Sequence, residues 1–168
     1  MDNYEVTIRS TNLAAHILGI DVPDVQFFKD NDLTKKGINS VFIKDKYIIA
    51  FNEEWVEQAN PMEIQITCFH ETRHAFQWKC IIGEYSGDIN INPETIDVWN
   101  TEMSNYNQPT CKDIAEEFYL KQKIEIDSIA FAHKMMLEYF QVKTIIPYSI
   151  KEEVLNKVRN INHIKEEV

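Results

Sequence analysis

Cysteine is scarce in this chain and poorly placed for cross-linking: Cys68, Cys80 and Cys111 are the only three, and no two form a Cys-x-x-Cys pair. An odd count without that spacing argues against a disulfide framework and fits reduced thiols in a cytosol. No stretch approaches the ~18 consecutive apolar residues of a membrane-spanning helix, and no basic segment followed by an apolar signal core opens the chain. A cytoplasmic protein with no membrane partner is therefore expected. Positive charge is short as well, with 17 Lys and Arg against 27 Asp and Glu and a net charge of −10. Non-specific nucleic-acid affinity rests on Lys and Arg, so direct nucleic-acid binding is not expected, and the acidity serves solubility. Repeats, low-complexity tracts and interdomain linkers are lacking too. What remains is 168 residues that are 44% hydrophobic, enough apolar material for one domain spanning 1–168 with a real core.

Along the chain, Ser10 to Leu18 reads as a short helix closed by Gly19. Val25–Phe28, Val41–Ile43 and Tyr47–Phe51 are rich in β-branched and aromatic residues, and Lys44-Asp45-Lys46 is a hairpin-length connection between the last two. A small antiparallel sheet is expected from them, with Tyr47–Phe51 as a candidate edge strand. Asn60-Pro61-Met62-Glu63 carries an N-cap side chain, a proline at the first helical position and a carboxylate at N3, so a helix should run from about Pro61 to Lys79. Its residues are largely apolar, which predicts burial. Gly83 to Pro93 is polar and holds two of the four glycines, a loop beside the helix. Helices follow over about Glu94–Asn105, from Thr110 as N-cap to about Val142, and from a capping box at Ser149-Ile150-Lys151-Glu152 into a charged tail.

The buried helix carries His70-Glu71-Thr72-Arg73-His74. On a helix, positions i and i+4 lie nearly one above the other, so both imidazoles reach one ion, and Glu71, about 100° around from His70, is free to act on a water beside it. Two histidines and a glutamate buried in an apolar helix need partners, and a metal supplies one. A catalytic zinc held by two histidines needs a third protein ligand and an open position. The residues after His74, Ala75-Phe76-Gln77-Trp78-Lys79-Cys80, exclude a third histidine six residues on. A carboxylate on another helix is expected instead. Ile124-Glu125-Ile126-Asp127-Ser128-Ile129-Ala130-Phe131-Ala132 places two of them in an otherwise apolar stretch. Glu125 and Asp127 are about 200° apart on a helix, so one ligates and the other supports.

The His-Glu-x-x-His motif, followed about fifty residues later by Glu125 with Phe131-Ala132 behind it, resembles the gluzincin metallopeptidases, in particular small intracellular ones of the ImmA/IrrE type. The resemblance implies a zincin-like α+β fold, in which a small sheet packs on the active-site helix and the C-terminal half is mainly helical. It implies a Zn2+ ion on His70, His74 and Glu125, with Glu71 as general base. Zinc would lower the pKa of its bound water toward ~7, and Glu71 would take that proton and return it to the leaving amine of a cleaved peptide bond. Ile129 stands where relatives often have Asn or Asp, so Asp127 becomes the supporting or alternative ligand. Arg73, charged where relatives are commonly not, is expected to pair with an acidic group nearby. His133, eight residues after Glu125, or Tyr85 is a candidate for stabilising the oxyanion. Two functions fit this pattern. One is an intracellular zinc peptidase with a narrow protein or peptide substrate; the other is a non-catalytic binding or regulatory protein whose metal is absent or structural. Intact Glu71 favours the peptidase.

Overall fold

The computed structural model describes residues 2–29, 37–106 and 113–161, the side chains of 113–116 excepted. It is an α+β structure, mostly helical. In chain order the elements are α1 (Asn3–Leu18), β1 (Asp24–Phe28), β2 (Ser40–Ile43), a 3-10 turn (Lys44–Lys46), β3 (Ile48–Asn52), α2 (Glu53–Gln58), α3 (Pro61–Ile81), α4 (Pro93–Ser104), α5 (Asp113–Leu120), α6 (Lys123–Phe140), a second 3-10 turn (Tyr148–Ile150) and α7 (Lys151–Asn160).

Helix α1 begins at an Asp2 cap, whose side chain accepts from the Glu5 backbone N–H, seven residues before the expected Ser10 start. The longer span escaped the apolar pattern because its inner face is partly polar. Thr7, Ser10 and Thr11 are buried there, and the Thr7 hydroxyl is satisfied by the Asn3 carbonyl at 2.8 Å. The helix closes at Gly19, at φ +65°, a left-handed conformation that glycine adopts without the steric cost a Cβ brings.

The three strands form one sheet in the order β1-β3-β2. It is mixed, not antiparallel: β1 runs parallel to β3, and β2 is antiparallel to it through the expected hairpin. Hence Tyr47–Phe51 does not supply an edge. It falls at the centre, where Ile49 and Phe51 are fully buried while β2 is only half-buried. The continuous apolar run Ile48–Phe51 marks burial on both faces, which is the pattern of a central strand.

Helix α3 is the axis of the fold. It is capped by the Asn60 side chain, with proline at its first position, and runs to Ile81, two residues past the expected end. Ile64 and Cys68 join Ile49, Phe51 and Val56 in a cluster under the sheet, while Phe69 and Phe76 join Phe131, Met135 and Trp99 in a larger helical core. A helix that is apolar around most of its circumference belongs between two packing layers, and this one lies between the sheet and α6.

The long helix expected from Thr110 to Val142 is two. Thr110 lies outside the described residues, and α5 and α6 are separated at Lys121–Gln122, where Gln122 is extended at φ −61°, ψ 134°. The break is stabilised from α4: the Glu102 carboxylate accepts from the Lys123 and Ile124 N–H groups at 3.0 and 2.8 Å, satisfying donors exposed at the start of α6. Glu125 therefore occupies the first turn of α6. The final helix also starts differently from the expected capping box, since Ile150 occupies its cap position with no side-chain cap bond. Among the described residues no helix is long and apolar enough to cross a membrane.

Candidate metal centre

The i, i+4 spacing on α3 brings His70 and His74 together with their Nε2 atoms 3.1 Å apart. Helix α6 packs across α3 and delivers Glu125, fully buried, between them: Oε2 lies 3.2 Å from His70 Nε2 and Oε1 lies 3.1 Å from His74 Nε2. Donors about 2.0–2.1 Å from one tetrahedral ion stand roughly 3.3 Å from one another, and the His70–His74 separation and the approach of one Glu125 oxygen to each imidazole are of that size. Glu125 Oε2 is moreover a buried atom with no hydrogen-bond partner among the described residues, although it lies 3.2 Å from His70 Nε2. Such an atom is costly in a protein interior unless a ligand completes it. His70, His74 and Glu125 can thus hold a metal ion.

The surroundings fix which nitrogen of His74 faces the cluster. Gln77, one turn further along α3 and fully buried, directs its Nε2 at the Ile124 carbonyl (3.0 Å) and at Asp127 Oδ2 (2.8 Å). Both are acceptors, so the amide has one orientation and its Oε1 faces His74 Nδ1 at 2.8 Å. In the neutral ring Nδ1 therefore carries the proton, and Nε2 is the nitrogen left to face the cluster. Ser128 Oγ stands 3.2 Å from the same Nδ1. Burial alone would lower the His74 pKa, but the adjacent Glu125 charge and hydrogen bond raise it to about 9 in the metal-free protein. Burial alone would likewise raise the Glu125 pKa; the two imidazoles hold it well below the usual carboxylate range.

Asp127, expected as supporting or alternative ligand, lies outside this group. The 200° offset from Glu125 turns it to the opposite side of α6, where Arg73 grips it through Nε at 2.7 Å and Nη2 at 3.2 Å, and Lys157 adds a contact at 3.2 Å. Arg73 and Asp127 are each 1% exposed. The guanidinium is packed against the rings of Phe76, Phe131 and Trp99, its centre 4.4, 5.2 and 5.9 Å from theirs. Although burial opposes it, the Arg73 charge lowers the Asp127 pKa. The expected acidic partner of Arg73 is thus Asp127, and Gln77 links the pair to the cluster.

Glu71 points the other way, into a cavity of about 320 Å³ lined by Ile38, Ser40 and Phe42 on the β2 side and by His74, Tyr106 and Tyr119 opposite. It is 8% exposed and accepts a hydrogen bond from Ser40 Oγ at 2.7 Å. The Tyr106 hydroxyl donates to Glu125 Oε1. Burial, reinforced by the Glu125 charge, pushes the Tyr106 and Tyr119 phenols far above their ordinary range, so both remain protonated donors.

Neither residue expected as an oxyanion stabiliser lines this cavity. His133 bonds Thr144 Oγ1 at 2.8 Å and, two turns along α6 from Glu125, does not line the cavity. Tyr85 staples its own loop, donating to the Leu18 carbonyl at 3.1 Å and accepting from Ile89 N–H at 3.2 Å. The residues unforeseen from sequence are Ser40, Gln77, Tyr106, Tyr119 and Ser128. Gln77 and Ser128 had a visible signal, since each lies three residues beyond a ligand candidate on the same helical face. The tyrosines and Ser40 had none, because tertiary packing alone brings them in.

Compared with protein-family models, with curated proteins and with solved structures, the chain finds no match. The meaning of the site therefore rests on its own residues and their geometry.

Proposed function

We propose that this protein is a zincin-like, zinc-dependent metallopeptidase in which His70, His74 and Glu125 hold the ion and Glu71 is the general base. The observation that carries the reading is the pairing of a three-donor cluster with a fourth side chain, the acidic Glu71, that does not join the cluster and opens on a cavity. A structural metal has no use for such a group. Bound zinc would supply Lewis acidity to a substrate carbonyl and acidify water. Glu71 accepts the proton of the attacking water, Ser40 holds the carboxylate toward the cavity, and Glu71 passes the proton to the departing amine as the C–N bond breaks.

The sheet supports an extended peptide as substrate. The Asn52 N–H bonds the Asn39 carbonyl at 2.8 Å, which makes Asn39–Asn52 a hydrogen-bonded antiparallel pair. By the alternation of such pairs, Val41 and Ile43 bond to β3, while Ser40 and Phe42 turn their N–H and C=O groups outward. Among the described residues no strand covers that edge, and it borders the cavity. A peptide adding there as a further strand passes Glu71.

The test is metal content and peptide cleavage in wild type, His70→Ala, Glu71→Gln and Glu125→Ala. One zinc per chain in wild type and Glu71→Gln, lost in His70→Ala and weakened in Glu125→Ala, with cleavage in wild type alone, is the expected result. No zinc uptake by wild type at neutral pH overturns the proposal. Zinc uptake without cleavage of any member of a diverse peptide library leaves a metal-holding binding protein.

A further inference from the structure

Glu125 has two oxygens, and the fold treats them differently. Oε1 accepts from the Tyr106 hydroxyl and lies 3.1 Å from His74 Nε2. Oε2, equally buried, has no hydrogen-bond partner. Tyr106 is itself held in place: its ring sits edge-on to His74 at 6.4 Å and to Tyr119 at 5.9 Å. Tyr119, from α5, lines the same cavity beside Tyr106. A carboxylate can grip a cation through one oxygen or two, and the choice sets the coordination number. With a protonated phenol on Oε1, that oxygen's lone pair is engaged and its charge partly drawn away. Oε2 is left as the ligating atom.

Resting on the reading of His70, His74 and Glu125 as metal ligands, we propose that Tyr106 is a positioning residue that restricts Glu125 to a one-oxygen grip through Oε2. The site then has three protein donors and one open position, which suits four-coordinate zinc or cobalt(II) and disfavours ions such as Mn2+ or Ca2+ that prefer six or more oxygen-rich ligands. Tyr106 does this from outside the first ring of donors, on the segment just after α4, so no ligand motif encodes it.

Cobalt(II) reports the difference directly, because four-coordinate cobalt absorbs visible light far more strongly than five- or six-coordinate cobalt. The experiment loads metal-free wild type and Tyr106→Phe with saturating Co2+ and records the visible spectrum, with Zn2+ affinity measured in parallel by competition with a chromophoric chelator. Phenylalanine keeps the ring contacts with His74 and Tyr119, and melting of the metal-free variant checks its fold. Wild type should give the strong four-coordinate spectrum. In Tyr106→Phe the visible absorption should fall at least roughly twofold as Oε1 joins the ion, and Zn2+ should bind about 10–100-fold more weakly. A merely structural role for Tyr106 would lower melting temperature without changing the spectrum at saturation. Identical spectra in the two proteins, or a weak spectrum already in wild type, would overturn the proposal while leaving the metal site standing. Failure of wild type to bind either ion would remove the site and this inference together.

Discussion

Replacing Asp127 with Asn separates support from ligation. Asp127 Oδ2 and Oδ1 take the two bonds from Arg73, at 2.7 and 3.2 Å, and both side chains are 1% exposed. Removing the charge leaves a guanidinium among Phe76, Phe131 and Trp99 with no counter-ion, and its Nη1 already lacks a partner. Lys157, a third exposed, can turn to water; Arg73 cannot. Loss of one member of a buried pair costs about 3–5 kcal/mol, and the amide oxygen Asn retains places this change near the lower end. For a chain of this length that is a fall of roughly 6–12 °C in melting temperature. The assay is urea and thermal unfolding of metal-free protein, followed by zinc titration of the folded variant. Asp127→Asn should unfold earlier with an unchanged denaturant slope, yet still take up about one zinc per chain, because the His70, His74 and Glu125 donors are untouched. The double change Arg73→Met/Asp127→Leu should be less destabilised than either single change, since an apolar pair leaves no charge stranded. An Asp127→Asn protein that unfolds like wild type but no longer binds zinc would refute the assignment and return Asp127 to the ligand set.

Ser40→Ala should leave zinc stoichiometry intact and lower kcat by roughly 10–100-fold, the range for losing a hydrogen bond to a charged group of about 1.5–3 kcal/mol; unchanged turnover would show that Ser40 does not hold Glu71. Phe42→Pro removes an N–H that faces outward, so KM for an extended peptide should rise while the β3 pairing survives, whereas Val41→Pro should damage the fold itself; equal effects on melting would contradict the deduced register. The metal-free protein should lose stability as pH rises. His74 has its folded pKa raised to about 9 against ~6.5 unfolded, so its contribution is full below about pH 6.5 and gone above about pH 9. Melting scans across that window should slope downward without metal, and zinc uptake at pH 7.5 should release about one proton, measurable by calorimetry in buffers of different ionisation enthalpy.

Local signals carried much of this fold. The Asn60-Pro61 start of α3, the Gly19 stop of α1 and the β2-β3 hairpin are each written in adjacent residues, and the spacing of His70 and His74 needs only helical geometry. Glu125 stood out because its apolar surroundings made a charge unexpected. The parallel pairing of β1 with β3 had no such signature, since strand order depends on contacts between distant segments. The division between α5 and α6 was hidden for a similar reason: Glu102, about twenty residues upstream, supplies the cap. Asp127 shows the limit most clearly. Sequence placed two carboxylates in one buried stretch and left Asp127 as support or alternative ligand; the packing of α7 and Arg73 against α6 pairs it with Arg73 and leaves Glu125 in the cluster.

The position of α3 between two separate apolar clusters gives the molecule two different tempos. His70, His74 and Glu125 belong wholly to the α3–α6 seam, backed by Phe69, Phe76, Phe131 and Met135, whereas Ser40 and the outward edge belong to a sheet of four- and five-residue strands over a smaller cluster. Local opening costs less where fewer apolar contacts resist it. The wall of the cavity can therefore open locally while the seam stays shut, and amide hydrogen exchange should run faster through Ser40–Ile43 than through Phe69–Phe76.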